Sequence, residues 1–324
     1  MLQTQKKYLT CVEICAGAGG QALGLERAGF EPLALVEIDA SCCKTLKANR
    51  PQWQVIEDDV KSFDGRPYHG VDLLAGGVPC PPFSKAGRQL GRDDERDLFP
   101  EALRLVDEIR PKAVMLENVR GFLDAVFEDY RLHLKRQLER LGYAAEWRLL
   151  NASDYGVSQL RPRVVIIAVR KDLSAAMSWP YHADRPPLTV GELLHDQMAM
   201  NSWLGARQWS RQADDIAPTI VGGSKKHGGA DLGPTRAKKA WAALGVDGKG
   251  VADVPPEKDF VGMPRLTVQM VARIQGFPDE WQFVGKKTPA YRQVGNAFPP
   301  PVAHAVAAEI HRALIKKKFF ALAA

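Results

Sequence analysis

The chain is short of several things that would define a function class at once. No apolar run approaches the roughly 18 residues a membrane-spanning helix needs. The N-terminal stretch has no apolar h-region and no cleavage-like site, so no signal peptide is expected. Five cysteines occur in 324 residues: Cys11, Cys15, Cys42, Cys43 and Cys80. None stands in C-x-x-C spacing and no histidine cluster accompanies them, which argues against zinc ribbons, disulfide frameworks and any metal. Reduced thiols in a cytoplasmic setting follow. There is no internal repeat, no low-complexity tract and no G-x-x-x-x-G-K-[ST] phosphate loop. Excess charge is slight: 44 Lys and Arg against 38 Asp and Glu, net +6, with a pI near 9.0. That permits a polyanionic partner without demanding one. What remains is a globular composition, 45% hydrophobic and 25% charged, long enough for one large domain and a smaller one.

The most informative stretch is Gly76-Gly77-Val78-Pro79-Cys80-Pro81-Pro82-Phe83-Ser84. The apolar run Val71–Ala75 leads into it and reads as a buried strand. Glycines allow a tight turn where that strand ends, and prolines stiffen the flanks. The product is a thiol held at the C-terminal edge of a sheet, where ligands bind in open α/β folds. Taken alone, the stretch reads equally well as a proline-rich turn around an inert thiol.

Upstream, Cys11–Cys15 reads as a strand, Ala16–Gly20 as a glycine turn, and the residues through Arg27 as a helix. Strand, turn and helix open a Rossmann-type unit. A second strand, Leu33–Glu37, ends in an acid suited to ribose hydroxyls. A third, near Trp53–Glu57, precedes Asp58-Asp59-Val60, suited to an adenine edge. The pattern fits NAD, FAD or S-adenosylmethionine. It lacks the full G-x-G-x-x-G spacing, which a ligand without a pyrophosphate does not need.

Residues 84–97 form a long polar stretch, expected as a lid over the thiol. A helix is expected over Leu98–Ile109, then a strand from Ala113 ending in Glu117-Asn118-Val119, then a helix over Phe122–Leu141. Gln159-Leu160-Arg161-Pro162-Arg163 enters the strand Val164–Val169. Two arginines entering a buried strand are costly unless paired, which points to a role. Residues 185–262 are rich in Gly and Pro, with poor apolar periodicity and nine Lys and Arg against seven Asp and Glu between Asn201 and Gly262. They read as a second, smaller domain. Its basic, glycine-punctuated loop Thr219–Gly229 can follow a groove and reach bases. A helix is expected over Leu266–Gly276. The block Tyr291–Pro301 then precedes a final helix, Val302 to about Lys316, with Val302, Val306, Ile310 and Leu314 on one buried face.

In order, Cys15–Gly20, Gly77–Cys80, Glu117–Val119, Gln159-x-Arg161-x-Arg163, Arg265–Thr267 with Gln275–Pro278, and Gln293–Asn296 resemble the blocks of the DNA (cytosine-5) methyltransferases of the bacterial restriction–modification type. The resemblance spans nearly the whole chain. It implies a Rossmann-like α/β methyltransferase sheet with helices on both faces and a smaller irregular target recognition domain. Residues 1–184 would open the catalytic domain, 185–262 would recognise the target, and 263–324 would complete the catalytic domain, the last helix returning to the first strand. Catalysis would fall to Cys80, Glu117, Arg161 and Arg163. Cys80 would add to cytosine C6, Glu117 would hydrogen-bond N3, Arg163 would hold O2, and Arg161 would support Glu117 or a phosphate. S-adenosylmethionine would lie against Glu13, Cys15, Ala16, Gly17, Gly19, Gly20, Glu37, Ile38, Asp59, Val60, Pro79, Leu98, Asn296 and Ala297. Double-stranded DNA would meet Ser84, Lys85, Arg88, Thr219, Lys225, Lys226 and His227. A monomer is implied, working beside a cognate restriction endonuclease.

The chain departs from the family pattern at Cys15 and Ile38, where aromatics are usual, at Pro81, where Gln is common, and at Met270, where Glu is frequent. Rival readings are a tRNA-directed enzyme on the same fold, a DNA-binding homologue without catalysis, and a nicotinamide-dependent oxidoreductase. The last leaves Pro79-Cys80 and Gly295-Asn296 unexplained.

Overall fold

The structure, a computed structural model, describes residues 8–79, 97–222 and 229–322, with side chains of the last helix described to residue 315. The chain runs through β1 (Leu9–Ile14), α1 (Gly20–Arg27), β2 (Phe30–Glu37), α2 (Ala40–Asn49), β3 (Val55–Glu57), β4 (Leu73–Gly76), α3 (Phe99–Ile109), β5 (Ala113–Val119), α4 (Glu128–Arg140), β6 (Tyr143–Asn151) and β7 (Pro162–Arg170). It continues through α5 (Val190–Met198), α6 (Ala206–Gln212), α7 (Thr235–Ala243), α8 (Val268–Ile274), α9 (Lys287–Asn296) and α10 (Pro300–Leu322). Among the described residues seven strands form one sheet, in the order β3-β2-β1-β4-β5-β7-β6. Strands β1 to β5 are parallel, and β7 runs against both its neighbours.

Strands covered on both faces carry near-continuous apolar runs. In β4 all four residues are buried, and in β1 only Thr10 is partly exposed. One face meets α3 and α4, packing Val12, Ile14, Leu74 and Leu116 against Leu105, Val106, Leu134 and Leu138. The other meets α1 and α10, packing Cys11, Leu73, Ala75 and Met115 near Leu25, Val306 and Ile310. Helix α3 buries Phe99, Ala102, Leu105, Val106 and Ile109 in one stripe. Arg110, left-handed at φ 50°, closes it, and Pro111 bars its continuation. Strand order reverses between β1 and β4, and such a switch point opens a crevice at the strands' C-terminal ends.

A third cluster joins Leu194, Trp209 and Trp241 of the 185–262 segment to Val271, Ile274, Tyr291 and Val294 of α8 and α9, and to Leu23 and Leu46 of α1 and α2. That segment is more helical than its composition suggests, holding α5, α6 and α7. Helix α5 begins with a capping box, Thr189 accepting from the Glu192 amide at 3.2 Å and Glu192 accepting from the Thr189 amide at 2.8 Å. The helix expected over Phe122–Leu141 is two 3₁₀ turns followed by α4, because Asp124 is extended (ψ 148°). Phe122 there turns inward to stack on Phe99, ring centroids 5.3 Å apart. Thr267 caps α8, and the Met270 sulfur accepts the Thr267 amide at 3.4 Å, a role a carboxylate fills in a regular capping box. The last helix is longer than expected at both ends, from Pro300 to Leu322; all four residues of its expected stripe are buried. The expected lid from Ser84 lies outside the described residues up to position 96.

Helix α10 lies so close on α1 that a Cβ on Gly24 would stand 2.4 Å from the Ala303 Cβ and 2.7 Å from the His304 amide nitrogen. Gly24→Ala would gain about 1 kcal/mol of helix propensity. Overpacking against backbone costs about 1–3 kcal/mol and prevails. The variant is expected to lower the urea midpoint, and an unchanged or raised midpoint would refute this packing.

Candidate active site

The crevice at the β1/β4 switch holds a cavity of about 450 Å³. Its first wall is the turn after β1: Glu13, Cys15, Ala16, Gly17, Ala18, Gly20 and Gln21. Glu37 at the end of β2 and Asp39 just after it, with Ser41 and Cys42 of α2, form the second. Gly77 and Glu117 stand at the ends of β4 and β5. The far wall comes from α9 and the residues after it: Pro289, Arg292, Gln293, Asn296, Ala297 and Phe298. The last helix itself backs α1 and is not part of that wall.

Local backbone explains the first wall. Cys15 is left-handed at φ 52°, unusual for a residue with a side chain, as are Gly17 at 55° and Gly19 at 89°. Gly20 admits the opposite wall: a Cβ there would sit 2.2 Å from the Phe298 carbonyl oxygen. Gly19 does not line the cavity; a Cβ there would meet the buried Leu46 and Trp281 side chains at 2.7 and 2.8 Å.

Three glutamates share the crevice, in different company. Glu37 accepts the amides of Gly17 and Asp39, each at 2.7 Å. Burial still raises its pKa, those amides opposing. Glu117 pairs with Arg163, Nε to Oε1 at 2.8 Å, both side chains 13% exposed. Burial raises its pKa while the charges of Arg163 and Arg161 pull it down. Glu13 is 1% exposed, and its Oε2 has no partner among the described residues. Burial and then Glu37 push its pKa well above the ordinary glutamate range. The same surroundings push the Cys15 thiol up to about 12, so it stays protonated.

Of the expected cofactor contacts, Glu13, Cys15, Ala16, Gly17, Gly20, Glu37, Asn296 and Ala297 line the cavity. Ile38 does not; it is 68% exposed, with its neighbours Glu37 and Asp39 turned inward. Asp59 and Val60 also stand off the lining. The Asp59 carboxylate accepts the Lys61 amide at 3.0 Å, and the Val60 carbonyl accepts from Arg104 at 3.0 Å. Pro79 and Leu98 meet each other, the Leu98 amide donating to the Pro79 carbonyl at 3.4 Å. Sequence reasoning overlooked Gln21, Asp39, Ser41, Pro289 and Arg292. Asp39 was legible as an N-cap, accepting the Ser41 amide at 2.9 Å.

Cys80, Ser84, Lys85, Arg88, Lys225, Lys226 and His227 lie outside the described residues. The approach to Cys80 is described as far as Pro79. Asn118 of β5 donates to the Val78 carbonyl at 3.0 Å, and a Cβ on Gly77 would stand 3.3 Å from Glu117 Oε2. Arg161 does not hydrogen-bond Glu117 as expected. Its terminal nitrogens donate to the carbonyls of Ile220, Gly295 and Ala297. The hydroxyl of Thr219, expected on DNA, donates to the Leu160 carbonyl.

The sequence pattern of the C-5 cytosine-specific DNA methylases matches residues 9–312. The chain belongs to that family. It is 59% identical over 311 residues to the type II methyltransferase M.NgoMIV of Neisseria gonorrhoeae, covering 95% of this chain and 99% of that one. To M.NaeI of Lentzea aerocolonigenes it is 58% identical over 313 residues, covering 94% and 75%. A prophage-encoded protein of E. coli shares the fold at a TM-score of 0.67 and 23% identity, covering 95% of this chain and 99% of its own. This methylase is therefore a DNA (cytosine-5) methyltransferase of the restriction–modification kind, and its methyl donor is S-adenosylmethionine. The residues fit that donor: a sulfonium and an ammonium are cations, and among the described residues the cavity offers a buried carboxyl with an unpartnered oxygen and three further acids. No helix among the described residues is long and apolar enough to cross a membrane.

The raised pKa of Glu13 has a definite sign in stability. Between its unfolded value, about 4.3, and its higher folded value, the folded chain holds a proton the unfolded chain has released. Stability contributed by this group is therefore lost as pH rises through that window. Glu13→Gln removes the titration. Without ligand, the melting temperature of the variant relative to wild type should increase from pH 5 to pH 8; a constant difference would refute the assignment.

Proposed function

We propose that this methylase transfers a methyl group to C5 of a cytosine flipped out of a specific double-stranded DNA sequence, through a covalent bond between Cys80 and C6. The observation that carries the reading is the largely enclosed Glu117–Arg163 pair, set beside Gly77 three residues before Cys80 and at the edge of the donor cavity.

Cytosine C5 is a weak nucleophile. The Cys80 thiolate forms a bond to C6, the C5–C6 π bond opens, and its electrons pass into the ring toward N3. Glu117 is suited to meet that charge, because burial favours its protonated form and a carboxylic acid donates to N3. Arg163 holds Glu117 in place and has further guanidinium donors to offer O2. When bound, S-adenosylmethionine supplies an electrophilic sulfonium methyl. Loss of the C5 proton, with water as the acceptor, restores the double bond and expels the thiolate. Glu13, Glu37, Asn296 and Ala297 would hold the donor. Extruding the base costs a few kcal/mol, offset by pocket contacts.

The 185–262 segment would read the target. The 59% identity to M.NgoMIV is spread over 95% of this chain, so the alignment takes in most of this segment and favours a recognition sequence shared with that relative. A cognate restriction endonuclease, a monomeric enzyme and a cytoplasmic site of action belong to the same proposal.

The test is transfer of labelled methyl from S-adenosylmethionine to mixed-sequence duplex DNA. Label is expected on cytosine C5. Cys80→Ala should abolish it, and Glu117→Gln should slow it by about 10²–10⁴-fold. Sequencing the product should return the site modified by M.NgoMIV. Label on tRNA instead of DNA, or undiminished transfer by Cys80→Ala, would overturn the proposal.

A further inference from the structure

Arg161 is fully buried and lacks a carboxylate partner among the described residues. One terminal nitrogen donates to the Ile220 carbonyl at 2.7 Å. The other donates to the carbonyls of Gly295 at 2.7 Å and Ala297 at 3.0 Å. Gln159 and Gln275, also fully buried, extend the junction. The Ile220 amide donates to Gln159 Oε1 at 2.9 Å, Gln159 donates to Gln275 at 2.6 Å, and Gln275 donates to the Ala297 carbonyl at 2.6 Å. Tyr291 adds a hydroxyl bond to the Val221 carbonyl at 3.2 Å. The two backbones touch: a Cβ on Gly295 would lie 2.4 Å from Gly222 Cα.

These bonds join two segments with different tasks. Residues 295–297 end in the donor cavity, which Asn296 and Ala297 line. Residues 217–222 belong to the segment read above as recognising DNA. A lone buried guanidinium is expensive, and burial pulls its pKa well down. An apolar side chain would fill the volume, yet would leave the carbonyls of Ile220, Gly295 and Ala297 without this donor. A charge retained at that cost, and bonded to both segments by one rigid fork, makes the position of each depend on the other.

We propose that Arg161 is a positioning residue that couples the donor cavity to the recognition segment, so that filling the cavity tightens DNA binding and DNA tightens donor binding. The inference rests on the functional reading above. Ordering the 295–297 wall orders 220–222 through shared donors, and ligand linkage of this kind is reciprocal.

The experiment is calorimetric. The affinity of the full chain for duplex DNA carrying its methylation site is measured with and without S-adenosylhomocysteine, and the affinity for S-adenosylhomocysteine with and without that DNA. In wild type both ratios should agree and be on the order of tenfold. Arg161→Lys keeps the charge but replaces the two-sided fork with a single ammonium. Gly222→Ala leaves Arg161 intact and forces the segments apart, since its Cβ would stand 2.5 Å from Asn296 Oδ1 and 2.7 Å from the Arg292 carbonyl. Each variant should bring the ratio to within about twofold of unity, well below the usual range of coupling. A role in stability alone would lower the melting temperature and leave the ratio unchanged, which would overturn the inference. So would a wild-type ratio of one. If Arg161→Lys does not fold, Gly222→Ala decides. Failure of wild type to bind S-adenosylhomocysteine or DNA at all would overturn the functional reading, and this inference with it.

Discussion

Burial of acids at one sheet edge is the constraint on which the rest of the structure depends. The switch between β1 and β4 brings the C-terminal ends of β1, β2 and β5 together, and each delivers a glutamate: Glu13, Glu37 and Glu117. Removing a carboxylate from water is costly unless hydrogen bonds or a countercharge replace the hydration. Glu37 has two backbone amides and Glu117 has Arg163. Glu13 keeps an oxygen unmatched by the described residues. A cation or hydrogen-bond donor entering the crevice would meet that oxygen.

Closing such a crevice requires backbone to meet backbone. Phe298 reaches the turn after β1 because Gly20 has no side chain, and the 217–222 segment reaches the end of α9 because Gly222 and Gly295 have none. The polar residues at those junctions then take over the hydrogen bonding that water would otherwise supply. Gln159, Arg161 and Gln275 are fully buried for this reason. The cavity, the Glu117–Arg163 pair and the 217–222 segment therefore share walls, and a third hydrophobic cluster running from α1 and α2 through α5 to α9 backs them.

Much of this was legible in the sequence, for physical reasons. Parallel strands covered on both faces write themselves as apolar runs, and β1, β2, β4, β5 and β7 were readable on that basis. Glu37 followed from its place at a strand end, whereas the close approach of Phe298 to Gly20 had no signal of its own. The helices of 185–262 were missed because their apolar stripes are short and interrupted, although the Thr189–Glu192 box announced one of them. The far cavity wall was only partly legible: Asn296 and Ala297 came with their block, while Pro289 and Arg292 depend on where α9 docks. Residue type alone does not separate Arg161 from Arg163; the resemblance offered Arg161 as the support of Glu117, and that ion pair falls to Arg163 instead. Both are arginines two positions apart, and their tasks separate only when Glu117 and three main-chain carbonyls take their places around them. Main-chain acceptors leave no mark in a sequence.

The acids also decide between ligands that a glycine turn alone leaves open. Among the described residues, Glu13, Glu37, Asp39 and Glu117 line the cavity against one arginine, Arg292. A dinucleotide would bring a pyrophosphate into that field, and like charges in a partly desolvated crevice repel strongly. A cationic donor meets the opposite situation, since its charge offsets the carboxyls whose pKa values burial has raised. The absence of the full G-x-G-x-x-G spacing belongs to the same logic. That spacing serves the approach of backbone to pyrophosphate. Here the left-handed turn at Cys15, Gly17 and Gly19 instead presents the Gly17 amide to Glu37, tying the first strand end to the second and fixing the acid in the crevice.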